Sequence, residues 1–228
     1  DPSSIIDQYG ADTARWFMLS DSPPERDMEW TDDGVNGAWK FINKLWKVVS
    51  INIRNLDSEF STEAKVNQKS LQLRQSSHKA IRDVTDCLNN FKFNVAVAKI
   101  HELVNTLQNF KHDSDDSSWV IKETIEIILK LSNPMIPHIT EELWEKLGNK
   151  SFLCKEPWPK TDLSLLNESQ SNIVIQVDGK LRATITVSTN EVESNVKEAA
   201  LKSPSVLKSI GENDIKKIIF VPNRILNF

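Results

Sequence analysis

Four basic side chains without an acidic neighbour are the strongest candidates for chemistry in this sequence. No Asp or Glu lies between Gly34 and Leu56. The basic residues of that stretch are spaced by four, three and seven, which places them on one side of a helix: Lys40, Lys44, Lys47 and Arg54. Outward-pointing cations at this spacing suit the phosphates of a polyanion. We call this set the lysine ridge and predict that it contacts phosphates, with a solvated helix face as the alternative.

A second group of basic residues lies near the end of the sequence, and we call it the C-terminal basic set: Lys180, Arg182, Lys216, Lys217 and Arg224. Lys180 and Arg182 would share one face of a strand, because side chains alternate along a strand with a period of two. No acidic residue lies between Ile215 and Phe228. The sequence therefore predicts a second cationic surface, with protection of edge strands against pairing as the alternative.

Residue types that often build catalytic or metal sites show no such pattern here. Cys87 and Cys154 lack a second Cys at metal-site spacing, which favours reduced thiols in a cytoplasmic protein. The sequence contains neither a Gly-rich phosphate loop nor a nucleophile elbow. The histidines have no paired spacing with Cys or acidic residues: His78, His101, His112 and His138. We expect no catalytic residue and no metal site in this sequence.

Apolar spacing predicts the helices that would carry the lysine ridge. Residues 1–20 give two short helical patterns, and residues 32–56 give one long helix that Asp32 or Asp33 can cap. Further helical patterns follow at 69–90, 94–110, 117–131 and 138–148. Successive amphipathic helices joined by short connections are typical of an antiparallel helical bundle.

The segment SPPERDMEW, residues 22–30, connects the short helices to the long one, and we call it the strap. Its two consecutive prolines restrict the backbone, and Trp30 is too large to leave in water without a partner. We therefore expect an ordered connection in which Pro24 and Trp30 are packed. Trp39 and Trp46 follow seven residues apart, and we expect both on the buried side of the long helix.

The pattern changes after residue 160. Residues 173–187 alternate with a period of two around Asp178 and Gly179, which predicts a β-hairpin. A helical stretch at 191–203 and two short β-rich runs complete a small module. The predicted fold class is mainly α, with an antiparallel helical bundle followed by a small α+β domain.

Length and composition fit this architecture. The chain has 228 residues, of which 39% are hydrophobic and 26% charged, and its net charge is −4. This length and hydrophobic content are enough to bury a core and to form two domains. No apolar run approaches the roughly 20 residues that span a bilayer. The first residue is Asp rather than Met, and we expect the sequence to be part of a longer protein.

Several segments resemble successive parts of bacterial leucyl-tRNA synthetases, which are class I aminoacyl-tRNA synthetases. The resemblance extends over nearly the whole chain. The combination of the strap with a small C-terminal module that ends in VPNR is the most specific part. The similar segments are DPSSIIDQYGADTARWFML, SPPERDMEWTDDGVNGAWKFINKLW, NPMIPHITEELWEKLG, IVIQVDGKLRATITV and KKIIFVPNRILNF.

The resemblance implies a non-catalytic, tRNA-docking C-terminal portion of such an enzyme, because the HIGH and KMSKS signatures of the family are absent. ATP and Mg would bind the missing catalytic part, leucine tRNA would be the partner, and the protein would be a monomer. Lys40 and Lys44 match basic positions that approach tRNA in the family. The implied segments are 1–31 as stem-contact segment and strap, 32–160 as anticodon-binding-type bundle, 161–172 as linker and 173–228 as C-terminal tRNA-binding domain.

Two alternatives remain at this stage. An isoleucyl- or valyl-tRNA synthetase would share the bundle, although this sequence has no Cys-rich zinc motif and no long C-terminal coiled coil. A helical adaptor that binds other proteins is the alternative from a different functional class. Preference for a particular tRNA and dependence of binding on salt would separate these possibilities.

Overall fold

The computed structural model describes residues 3–54, 56, 66–111, 118–166, 170–189, 191–211 and 215–228. The chain divides into two compact units, Asp1–Leu166 and Asn167–Phe228. The first is helical, and the second combines a sheet with two helices. The predicted fold class, a helical bundle followed by a small α+β domain, is confirmed. No helix among the described residues is long and apolar enough to cross a membrane.

The helices of the first unit follow the predicted pattern closely. Gly10 separates the first two helices and has a φ of 84°, a conformation that favours glycine. Asn67 caps the fourth helix by accepting a hydrogen bond from the Ser70 backbone N–H at 2.9 Å. The helices are α1 Ser3–Tyr9, α2 Ala11–Ser20, α3 Asp32–Arg54, α4 Gln68–Asn89, α5 Phe93–Asn109, α6 Ser118–Ser132, α7 Pro137–Lys146 and α8 Leu163–Leu166.

The core of the first unit joins α2 to the long helices. Trp16 and Phe17 of α2 are almost completely buried. The Trp16 ring stacks on Phe41 of α3 with centroids 4.6 Å apart. Asp12 of α2 accepts a hydrogen bond from the Ile139 backbone N–H at 2.8 Å, which satisfies a free donor at the start of α7. The N-terminal helices are therefore an integral part of the bundle.

One prediction about α3 is wrong. Trp39 and Trp46 are 42% and 38% exposed, whereas Phe41, Leu45 and Val48 are buried. The buried side of α3 is set by its contacts with α2, α5 and α7, and it is narrower than the apolar stripe read from the sequence. The two tryptophans lie at the edge of that stripe rather than at its centre.

The second unit is a four-stranded sheet with the strand order β2-β1-β4-β3. β1 pairs antiparallel with β2 and parallel with β4, and β4 pairs antiparallel with β3. Ile173, Ile175 and Leu226 form its core with Val196 and Val206 of the two helices. The elements are β1 Gln170–Val177, β2 Lys180–Ser188, α9 Glu193–Leu201, α10 Pro204–Ile210, β3 Ile219–Val221 and β4 Ile225–Asn227.

Candidate nucleic-acid interface

Helix α3 is held in place at its N-terminal end. Thr31 caps the helix by accepting a hydrogen bond from the Gly34 backbone N–H at 3.2 Å, so the cap is neither of the two predicted residues, Asp32 or Asp33. A Cβ atom at Gly34 would lie 2.4 Å from Cε2 of Phe17. Glycine is required there because α3 passes directly over this buried ring. The start of α3 is therefore fixed against α2.

The lysine ridge lies along α3 beside an open groove of about 370 Å³. Lys40 and Lys47 are exposed, and Lys44 is half-buried. The Nζ of Lys44 donates a hydrogen bond to Oδ1 of Asn105 on α5. The side chain of Arg54 lies outside the described part of the chain. Polar and apolar residues of α3 and α5 line the groove together with the lysines: Lys40, Asn43, Lys44, Lys47, Val48, Ile51, Asn52 and Gln108.

The three described lysines of the ridge are not neutralised by acidic side chains. Within the described residues, no carboxylate oxygen lies within 4 Å of their Nζ atoms, whereas Lys99 and Lys146 pair with Glu102 and Glu142 at 2.9 and 3.0 Å. An unpaired exposed ammonium keeps its charge available for an anion in solution. The ridge thus combines a groove with three cations that have no carboxylate partner in the described part of the chain, and Lys40 and Lys47 are the exposed ones.

His101 of α5 lies beneath Lys44 and contributes no charge at neutral pH. Its ring stacks on Phe41 with centroids 3.9 Å apart, and its Nε2 accepts a hydrogen bond from Nε1 of Trp16 at 3.3 Å. Burial and the nearby Lys44 ammonium lower the pKa of His101 to about 4. The histidine acts as a neutral structural acceptor, and its burial was not predictable from its isolated position in the sequence.

The C-terminal basic set divides between two ends of the second unit. Lys180 follows the hairpin turn after β1, and Lys216 and Lys217 precede β3, which starts at the same end of the sheet. Lys216 and Lys217 line a cavity of about 450 Å³ with Asp178 of that turn. Arg224 lies in the turn at the other end of β3 and β4.

A β-bulge separates Lys180 from Arg182. On β1, Ile175 pairs with Ala183 of β2, but the next residue, Gln176, pairs with Leu181. Arg182 is therefore left without a paired residue on β1. Simple alternation does not continue through a bulge, so the predicted sharing of one face by Lys180 and Arg182 does not follow. Both side chains are nevertheless exposed. Within the described residues, none of the five cations of the set lies within 4 Å of a carboxylate.

The strap is packed at one of its two predicted positions. The Trp30 ring contacts the buried Phe17 ring edge-on with centroids 5.0 Å apart, and Trp30 remains 38% exposed. Pro24 is exposed, so the packing expected for it is not observed. The turn that contains Pro24 is closed instead by a hydrogen bond from the Arg26 N–H to the Pro23 carbonyl at 3.0 Å.

Sequence reasoning missed several polar residues that build this region. Gln108 of α5 lines the groove, and Asn105 of α5 accepts the hydrogen bond from Lys44; their spacing of three on a largely apolar helix is the only sequence signal for them. Glu141 of α7 accepts hydrogen bonds from the Leu153 and Cys154 N–H groups at 2.7 and 2.9 Å. Burial raises the pKa of Glu141, but these N–H donors outweigh it and leave that pKa below its ordinary value.

The described residues contain no group of three or more His, Cys, Asp or Glu side chains that could hold a metal ion. Cys154 is exposed and Cys87 half-buried, and both are free thiols. His112, one of the histidines of the sequence, lies outside the described residues.

Comparison with known proteins places this geometry in context. The family described as anticodon-binding domain of tRNA ligase matches residues 71–197. The leucine–tRNA ligase of Paramagnetospirillum magneticum is 40% identical over 227 residues, and that of Wolbachia pipientis is 41% identical over 227 residues. Each alignment covers 100% of this chain, but only 26% and 27% of the relative. The chain thus spans about a quarter of the length of these curated relatives.

Two solved structures resemble the fold. The LeuRS-tRNA-LeuAMS ternary complex of Agrobacterium radiobacter matches with a TM-score of 0.81 and 28% identity, covering 100% of this chain and 30% of that one. Mycobacterium tuberculosis methionyl-tRNA synthetase matches with a TM-score of 0.54 and 16% identity over 64% of this chain and 34% of that one, which shows similarity of fold alone. Because the family match covers more than half of the sequence, the chain belongs to the family of anticodon-binding domains of tRNA ligases.

Proposed function

We propose that the chain is the tRNA-docking part of a leucine–tRNA ligase, and that it supports the ATP-dependent attachment of leucine to its tRNA by the longer enzyme. The observation that carries the leucine assignment is the identity of about 40% with leucine–tRNA ligases along the whole chain. The LeuRS structure that resembles this chain is itself a complex with tRNA. The partner is therefore a leucine tRNA.

The lysine ridge is the proposed contact with the tRNA backbone. Lys40, Lys44 and Lys47 have no carboxylate partner among the described residues and border an open groove, an arrangement that suits phosphate oxygens. Phosphate contacts of this kind supply affinity and orientation without reading the bases. Arg54, seven residues or about two helical turns beyond Lys47, belongs to the same proposed set by its sequence position alone.

The C-terminal basic set is the proposed second contact. Its cations are exposed on a unit that has its own core, so it can bind RNA independently of the bundle. Two weak phosphate-binding surfaces on one chain bind the same RNA more tightly than either does alone. Once one surface has bound the RNA, the effective concentration of that RNA at the other surface is raised. The proposed segments remain 1–31 for stem contact and strap, 32–160 for the bundle, 161–172 for a linker and 173–228 for the C-terminal domain.

The chemical step belongs to the rest of the enzyme in this proposal. The residues described here do not fit ATP and Mg, because they offer neither a Gly-rich phosphate loop nor a cluster of metal ligands. The role of this chain is to hold the tRNA so that its acceptor end reaches the catalytic part. We propose a monomer that acts in the cytoplasm, where translation takes place.

Discrimination between tRNAs tests the proposal. Binding of the 228-residue chain to leucine tRNA, isoleucine tRNA and valine tRNA is measured by fluorescence anisotropy at one fixed salt concentration. We expect the tightest binding for leucine tRNA, because shape and backbone contacts fit one tRNA best. Tighter binding of isoleucine or valine tRNA would reassign the chain to another synthetase. Absence of binding to every tRNA would favour a protein-binding adaptor.

A further inference from the structure

The tryptophans that the bundle leaves exposed form an ordered pair on α3. Trp39 and Trp46 are seven residues apart, so they lie within about 20° of each other around the helix axis and about 10 Å apart along it. Both rings are roughly 40% exposed. Large aromatic side chains placed in line on a rigid helix are typical of stacking platforms for nucleobases.

Each of these tryptophans is followed directly by a lysine of the ridge. Lys40 follows Trp39 and Lys47 follows Trp46, and consecutive residues point about 100° apart on a helix. At two levels of α3, therefore, an exposed aromatic ring lies beside an exposed ammonium without a carboxylate partner in the described part of the chain. A nucleotide presents the same two chemical groups, a flat base and a phosphate.

The indole N–H groups of these two tryptophans differ from those of Trp144 and Trp158, which serve the fold. Trp144 donates to the Ser151 carbonyl at 3.1 Å, and Trp158 donates to Oγ1 of Thr85 at 2.9 Å. Trp39 and Trp46 donate to no acceptor among the described residues. Their N–H groups, like their rings, are available to a ligand.

The Trp46 ring is also held in position. The Nζ of Lys146 on α7 lies 5.3 Å from the ring centroid, and the same Nζ pairs with Oε1 of Glu142 at 3.0 Å. A cation over an aromatic face is attracted to the ring and restricts its rotation. A base would therefore stack on the face of Trp46 opposite to Lys146.

We propose that Trp39 and Trp46 stack on unpaired bases of an RNA whose phosphates bind Lys40 and Lys47. The inference rests on the proposed function, and it adds single-stranded RNA as the substrate class of this face. The distance of about 10 Å between the rings is about three times the 3.4 Å repeat of stacked bases. Each ring therefore takes a separate base rather than two neighbours in one stack.

An abasic RNA tests the stacking directly. Binding of the 228-residue chain is compared for a short oligouridylate and for an abasic strand of the same length, which keeps the phosphates and lacks the bases. We expect the oligouridylate to bind about tenfold more tightly or better, because stacking of one base contributes roughly that factor. The double variant Trp39→Leu, Trp46→Leu should bind both strands equally, at the wild-type affinity for the abasic strand.

Three further variants keep the test specific. Phe152 is an exposed aromatic residue with the Nζ of Lys155 5.4 Å from its ring, but it does not lie on α3 beside the lysine ridge, and Phe152→Leu should preserve the preference. The double variant Trp39→Phe, Trp46→Phe keeps two aromatic rings and should retain most of the preference, which also covers the case in which the leucine variant does not fold. Lys40→Gln should weaken binding of both strands by the same factor.

Three results would overturn the inference. Equal binding of both strands by the wild-type chain would exclude stacking and would leave the proposed phosphate contacts intact. An equal loss for both strands in the leucine double variant would mean that the tryptophans act on the fold rather than on bases. If neither strand bound at any salt concentration, both the proposed phosphate contacts and the inference would be overturned.

Discussion

His101 illustrates how single residues of the bundle are tuned by their surroundings. Its ring contacts the aromatic rings of Trp16 on α2 and Phe41 on α3, and Lys44 lies close enough to disfavour a second positive charge. The imidazole is thereby kept as an acceptor for the Trp16 indole. Histidine often titrates near neutral pH, but His101 is neutral there and contributes to packing. The positive charge at this position comes from Lys44 of the lysine ridge.

The lowered pKa of His101 predicts how stability depends on pH. The pKa is about 4 in the folded chain against an ordinary value of 6.5, so the unfolded chain binds the extra proton first as the pH falls. The contribution of His101 to stability is therefore complete above pH 6.5 and is lost progressively between pH 6.5 and 4. Urea unfolding across this range, compared between the wild type and His101→Gln, should show a shallower pH dependence in the variant.

An identical pH dependence in the wild type and in His101→Gln would contradict the assignment of His101 as a neutral, half-buried hydrogen-bond acceptor.

At the scale of elements, α3 is the part on which the candidate interface depends. It carries the lysine ridge on one side and contacts α2, α5 and α7 on the other. The contact at Gly34, where α3 crosses the Phe17 ring, determines where the helix begins. A shift of this end would move every cation of the ridge relative to Asn105 and Gln108 on α5.

The two glycines at the start of α3 should respond to alanine with opposite signs. Gly34→Ala places a Cβ 2.4 Å from Phe17 Cε2, and we expect a loss of about 1 to 3 kcal/mol in the free energy of unfolding from overpacking. Gly37→Ala meets no atom within 4 Å, and we expect a gain of up to about 1 kcal/mol from helix propensity. Urea unfolding of both variants measures these changes. Similar effects of the two substitutions would contradict the described crossing of α2 and α3.

The sequence predicted the elements well and their contacts poorly, for a physical reason. Periodicity identified α3 and the hairpin at Asp178 and Gly179, because it reports which side of one element is apolar. It placed Trp39 and Trp46 on the buried side, because it does not report how wide a face the neighbouring helices cover. The hydrogen bond between Lys44 and Asn105 joins residues far apart in sequence, and no local pattern encodes it.

At the scale of the whole molecule, two units with separate cores each present cations without carboxylate partners among the described residues. This occurs on a chain whose net charge is −4. The position of the cations, rather than their total number, is what suits an RNA partner. The family match, which extends from α4 into α9, includes residues of both units.

The salt dependence of leucine tRNA binding tests the central claim, that the lysine ridge contacts phosphates. The triple variant Lys40→Gln, Lys44→Gln, Lys47→Gln is compared with a control of equal charge change, Arg82→Gln, Lys99→Gln, Lys202→Gln, whose three cations are paired with Asp83, Glu102 and Glu198. Each lost phosphate contact lowers the slope of log K against log salt by about one. We predict that the ridge variant lowers the slope by about three and the control by less than one. Equal slopes for the ridge variant and the wild type would contradict the account.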